Sequence, residues 1–235
     1  MANHHGTEIE LKLRVDDLAA LMRVCVAAGA APAFTAVQRN EFLDTAERAL
    51  DAQRFVLRLR SERSPSMTTS YLTAKGPSQK SADGALSHAP EQEIVVAGEV
   101  AEALRAGRAD PLQVLEGAAD TNDVRRALVA RMRAAAGAAP LRLVGGFSTE
   151  RTRLSVRFPA TATAAAFDGV LELDRVHFPG EQVHHEVEFE IPAGVAIEDA
   201  RAGFDALLAR AGVVGRAAPG KASRFFRALK GERLN

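Results

Sequence analysis

The chain holds one cysteine, one tyrosine and no tryptophan among 235 residues, and its 30 Lys and Arg balance 30 Asp and Glu. A lone cysteine cannot close an internal disulfide. Cys25 sits among Leu21, Met22, Val24 and Val26 and reads as a buried helix residue rather than a nucleophile. A net charge of zero gives no bulk attraction to nucleic acid or to a membrane surface, so any electrostatic function must come from local segregation of charge. No apolar run reaches the roughly 18 residues of a membrane span, and the acidic start Glu8-Ile9-Glu10 is unlike a secretory signal. These absences lead us to expect a cytoplasmic protein with neither a membrane nor a nucleic-acid partner. No Cys/His cluster has zinc-ligand spacing, and His184-His185-Glu186 lacks the helical H-E-x-x-H pattern, so both histidines read as solvated strand positions.

What the chain has instead is charge alternating with hydrophobe. In Glu8-Ile9-Glu10-Leu11-Lys12-Leu13 a strand sends Glu8, Glu10 and Lys12 to one face and Ile9, Leu11 and Leu13 to the other. One such segment fits an ordinary half-wet strand. Seven segments share the design, with charged sets Glu8/Glu10/Lys12, Arg58/Arg60, Lys75, Glu91/Glu93, Arg151/Arg153, Glu172/Asp174 and Glu186/Glu188/Glu190.

The intervals between them read as helices and connectors. Asp16 or Asp17 caps a helix over Leu18 to Ala28, which Gly29 ends. Ala30 to Ala36 reads as a loop and Gln38 to Thr45 as a strand. Gly76 to Ala89, rich in Ser, Gly and Pro, reads as a mobile connector. Two amphipathic helices follow, one around Val100 to Leu104 and one around Val124 to Met132, then another from about Glu198 to Ala211 and a short basic one over Lys221 to Lys230.

At 25.0 kDa the chain is expected to form one domain over 1–235. The recurrent alternation points to an α+β fold, a closed or nearly closed antiparallel barrel with helices outside on its apolar face and charged side chains in its lumen. Carboxylates crowded together need cations, and crowded Arg and Lys need an anion. Both needs are met by a polyphosphate accompanied by a hard divalent cation, and Mg²⁺ or Mn²⁺ suits an all-oxygen donor set.

In this respect the chain resembles the CYTH superfamily, the triphosphate tunnel metalloenzymes. The resemblance rests on nine motifs in order: Glu8-Ile9-Glu10-Leu11-Lys12, Phe42-Leu43-Asp44-Thr45, Arg58-Leu59-Arg60, Thr73-Ala74-Lys75, Glu91-Gln92-Glu93, Arg151-Thr152-Arg153, Leu173-Asp174, Glu186-Val187-Glu188 and Lys221-Ala222-Ser223. It implies an eight-stranded antiparallel tunnel. Lys12, Arg58, Arg60, Lys75, Arg151, Arg153 and Lys221 would grip a small-molecule triphosphate, where arginine's planar fork suits phosphate oxygens. Glu8, Glu10, Asp174, Glu186 and Glu188 would hold Mg²⁺ or Mn²⁺, with Glu91 and Glu93 completing an acidic wall.

The reaction so implied is metal-assisted hydrolysis, with water activated near Glu186 and Glu188 and Lys12 or Lys75 steadying the leaving group. Among members, bacterial inorganic triphosphatase domains are the most similar, giving pyrophosphate and orthophosphate as products. Thiamine or nucleoside triphosphatases, class IV adenylyl cyclases and a non-catalytic polyphosphate-binding module remain as alternatives.

Overall fold

The computed structural model describes residues 7–118, 122–160 and 165–234, and within them the side chains of 7, 8 and 32–34 lie outside the description. Ten strands join one antiparallel sheet in the order β10-β1-β9-β8-β7-β2-β3-β4-β6-β5, and a further β1–β6 pairing closes it. The eight strands of the closed ring are β1 (Thr7–Val15), β2 (Ala31–Asp44), β3 (Val56–Arg63), β4 (Thr68–Lys75), β6 (Leu86–Val96), β7 (Arg142–Phe158), β8 (Phe167–Phe178) and β9 (Gln182–Glu190). Two-residue strands β5 (Gln79–Lys80) and β10 (Gly215–Arg216) flank it. The fold is thus the expected eight-stranded antiparallel barrel with α-helices around it.

The period-two alternation sets which way each strand faces. Leu11, Leu154, Leu171, Leu173, Val187 and Phe189 point outward and are covered by α1 (Leu18–Ala27) and α6 (Ile197–Ala211) through Leu21, Cys25, Phe204, Leu207 and Leu208. On the other side Leu57, Leu59, Leu72 and Ala74 pack beneath α3 (Gly98–Arg105), α4 (Pro111–Gly117) and α5 (Asp123–Ala136). With the apolar sets covered from outside, the charged sets are left inside.

One end of the lumen switches from charge to aromatic. Phe42, Phe147, Val176 and Phe178, in phase with the lumen-lining residues of their strands, form a cluster with Phe225 and Phe226 of α7 (Lys221–Leu229), which lies across that end. Phe42 stacks on Phe225 at 4.8 Å between ring centroids. The short α2 (Ala49–Ala52) is anchored by Asp44, whose carboxylate accepts from the amides of Thr45, Leu50 and Asp51 at 2.7–3.0 Å.

Three segments depart from the sequence reading. The Ala30 to Ala36 stretch is strand, because β2 pairs with β7 from Ala31 across an irregularity between Pro32 and Thr35. Leu86 to Pro90 is not connector but the first half of β6, and it bonds to β1 to shut the barrel. A capped helix, α4, follows Asp110, whose side chain accepts from the amides of Leu112 and Gln113.

Candidate active site in the barrel lumen

The register brings the charged residues together. β1 and β9 set Glu10 opposite Glu190, Lys12 opposite Glu188 and Arg14 opposite Glu186, while β7 and β8 set Arg151 opposite Asp174 and Arg153 opposite Glu172. Across β4 and β6, Lys75 faces Glu91 and Thr73 faces Glu93. A cavity of about 1360 Å³ runs through the lumen, lined by Glu10, Lys12, Arg58, Arg60, Lys75, Glu91, Glu93, Arg151, Arg153, Glu172, Glu188, Glu190 and Lys221.

Acid and base interleave within it. Arg151 donates from Nε to Asp174 at 2.7 Å and from Nη2 to Glu188 at 2.7 Å, and its Nη1 pairs with Glu172. Lys12 Nζ lies 2.9 Å from Glu10 and 2.8 Å from Glu188. Lys221 Nζ bonds Glu188 at 2.6 Å and also reaches Asp174. On the opposite wall Glu93 accepts from Arg60 at 2.9 Å and Thr73 at 2.7 Å, with Arg58 at 3.4 Å, and Lys75 pairs with Glu91 at 3.1 Å. Arg153 joins the two walls through Glu62 at 2.7 Å and Glu172 at 3.0 Å.

Electrostatics keeps Lys12, Asp174 and Glu188 ionised despite burial. Burial disfavours the Lys12 ammonium, yet Glu10 and Glu188 raise its pKa above the ordinary lysine value. Burial likewise opposes the Asp174 and Glu188 carboxylates, and neighbouring Arg151, Lys221 and, for Glu188, Lys12 bring both pKa values down. Buried ion pairs give little net stability, because desolvation offsets their attraction. A lumen packed with them is therefore better explained by binding than by folding.

Glu186 and Asp174 lie outside the cavity lining. Asp174 is enclosed by Arg151 and Lys221. Glu186, fully buried, pairs with Arg224 of α7, and its Oε2 has no hydrogen bond, with Lys221 3.6 Å away. For Glu8 the backbone pairs with Ala89, and its side chain lies outside the description.

Sequence reasoning missed three participants. Glu62 follows Arg58 and Arg60 in the same strand phase, which was the available signal. Burial raises the pKa of its carboxyl, but hydrogen bonds from Arg153 and Gln38 bring it down to about 2. His184, expected to be solvated, is buried and in contact with Arg224, because α7 covers it; burial holds its pKa down to about 4. Arg224 itself carried no motif; its spacing of three from Lys221 on a helix was the only hint.

Among the described residues no three carboxylate, histidine or cysteine side chains are gathered into a ready-made metal cluster. The donor chemistry nonetheless suits Mg²⁺ or Mn²⁺: the cavity's acceptors, Glu10 and Glu188 among them, are carboxylate oxygens, and behind the lining Glu186 Oε2 is buried without a hydrogen bond. Donors are orphaned as well. Arg58 Nε and Arg60 Nε are buried with no acceptor.

Ring closure and a charged interior define the class, an antiparallel tunnel protein. The chain belongs to the CYTH domain family, which matches residues 6–226. Among solved structures it is similar to HpAC1 of Hippeastrum, an adenylyl cyclase candidate described as having a dominant triphosphatase activity. The identity is 23%, 97% of each chain is covered and the TM-score is 0.70. It is also similar to an adenylate cyclase candidate of Bacillus halodurans, at 21% identity over 94% of this chain and 99% of that one, with a TM-score of 0.59. Curated proteins give no match. No helix among the described residues is long and apolar enough to cross a membrane.

Proposed function

We propose that the chain is a metal-dependent triphosphatase and that its substrate is inorganic triphosphate, cleaved by water to pyrophosphate and orthophosphate. The observation that carries this reading is the pair of buried guanidinium N–H groups without acceptors, on Arg58 and Arg60, in a cavity also lined by Lys12, Lys75, Arg151, Arg153 and Lys221. Unsatisfied buried donors are rare, and two of them on residues that line a cavity with these five further cations suit an anion of several charges. The description of HpAC1 supports hydrolysis over cyclisation.

Arg58 and Arg60, now on Glu93, would turn to the phosphate oxygens. Lys12 and Lys75 would stand at the leaving group, where their charge offsets that developing on the bridging oxygen. Glu10 and Glu188, which line the cavity, with Glu8 in the same β1 phase, would hold Mg²⁺ or Mn²⁺. Asp174 would hold Lys221 and Arg151 in place. A bound divalent cation would neutralise phosphate charge and lower the pKa of the attacking water. Glu186, which the family resemblance implied as a ligand, pairs with Arg224 of α7, and this contact is taken up below.

Incubation with tripolyphosphate and with ATP in parallel, at graded Mg²⁺ and Mn²⁺, followed by assay of orthophosphate and cyclic AMP, tests the reading. Metal-dependent orthophosphate from tripolyphosphate is expected, and Glu188→Gln should lower it at least ~100-fold. Cyclic AMP from ATP would make the chain a cyclase. Tight binding without turnover at any metal concentration would make it a polyphosphate-binding module.

A further inference from the structure

We propose that Arg224 is a positioning residue: with Glu186 and His184 it forms a buried strut that orients α7 so that Lys221 projects into the lumen. Lys221 is the first residue of α7, and its N-cap, Gly220, offers no side chain to fix the helix start. Residues three apart share a helix face, so Lys221 and Arg224 point the same way. Phe225 and Phe226 bury the helix against Phe42 and Phe147, but apolar contact is not directional and leaves its rotation and tilt unspecified.

Arg224 supplies direction. Only 1% exposed, it donates from Nε to the Pro219 carbonyl at 3.0 Å and from Nη1 to His184 Nδ1 at 2.7 Å, and its Nη2 pairs with Glu186 Oε1. Its guanidinium lies 4.9 Å from the Phe178 ring centroid. Because Nη1 is a donor, Nδ1 of His184 is the unprotonated nitrogen. The lead into the helix is held from the other side, where Lys80 Nζ donates to the Ala218 carbonyl at 2.9 Å. One carboxylate thus serves two cations of α7: Glu186 takes Arg224 on one oxygen and keeps the other 3.6 Å from Lys221. This gives Glu186 and His184 a part that metal binding does not require.

The test has two arms. In the first, lysine amines of the ligand-free protein are acylated and mapped by mass spectrometry. Lys221 and Lys12 should both be protected in the wild type, and Arg224→Gln should expose Lys221 while leaving Lys12 protected. Exposure of both would overturn the proposal, since Arg224 would then hold the fold rather than the helix start; so would protection of both. In the second, tripolyphosphate affinity is measured by calorimetry for Arg224→Gln, Lys221→Ala and the double variant. Each single change should weaken binding about tenfold and the double little more, because both remove the same contact. Additive losses, or an unchanged Arg224→Gln, would overturn it. This arm rests on the triphosphate reading; if the wild type does not bind tripolyphosphate, that reading falls and the acylation arm alone decides the strut.

Discussion

Replacing Arg151 by methionine tests how closed the lumen is. Arg151 is 7% exposed and answers three carboxylates, Asp174, Glu172 and Glu188, of which Asp174 is fully buried. Methionine preserves much of the stem's volume and removes the charge. Breaking a buried ion pair from one side leaves the other charge uncompensated, at about 3–5 kcal/mol. For a chain of this length each kcal/mol corresponds to roughly 2 °C in Tm, so a fall of about 6–10 °C at pH 7 is expected.

The pH dependence is more telling. In the wild type the lowered pKa values of Asp174 and Glu188 give stability that is present above the unfolded carboxylate range and lost as pH falls through the lowered values. Without Arg151, Lys221 alone is left to oppose burial at Asp174, so its pKa is lowered less and less stability is lost on acidification. Urea titrations at several pH values should show the gap between variant and wild type narrowing as pH falls. A variant as stable as the wild type at pH 7, with the same pH profile, would refute the argument, because the carboxylates would then be solvated.

Further expectations follow from other sites. Glu62→Gln should leave stability unchanged in strong acid and lower it at neutral pH, because the wild-type carboxylate contributes above its unfolded pKa and loses that contribution as pH falls toward about 2; thermal melts from pH 2 to 7 check this. Gly146→Ala places a Cβ 2.1 Å from the Asn40 carbonyl oxygen, forcing β7 off β2, and should destabilise by about 3 kcal/mol in denaturant titration. Cys25, fully buried with its thiol pKa pushed up by burial, should resist a disulfide reagent until urea unfolds the chain; rapid labelling of the native protein would contradict the α1 packing.

Strands whose two faces differ sharply were legible. Charge against hydrophobe in β1, β3, β8 and β9 specified which side faced the lumen, because a shift of one residue would bury every charge in the outer core. Where the two faces did not differ, the strand was invisible: Leu86-Ser87-His88-Ala89-Pro90 has no alternation, and pairing with β1 makes it a strand. The cations and most acids on the strands of the lumen could be named from their spacing, whereas Lys221 was named only through the family resemblance. What spacing could not tell was which carboxylate meets the cavity and which is taken by a neighbour: Glu186 and Glu188 are equivalent along β9 until α7, arriving from more than thirty residues on, covers one of them.

The seam where β1 meets both β6 and β9 sets the order of events in folding. Glu10 lies beside Ser87 on one flank and beside Glu190, 180 residues later, on the other. Contacts so distant in sequence form slowly, since the entropy of closing a long loop is lost before any pairing is gained. A ribosome therefore delivers β1 long before its second neighbour exists, and its Glu10 carboxylate and Lys12 ammonium stay hydrated until the last strand of the ring arrives. Desolvation of those charges comes with the final closure and adds to the barrier there.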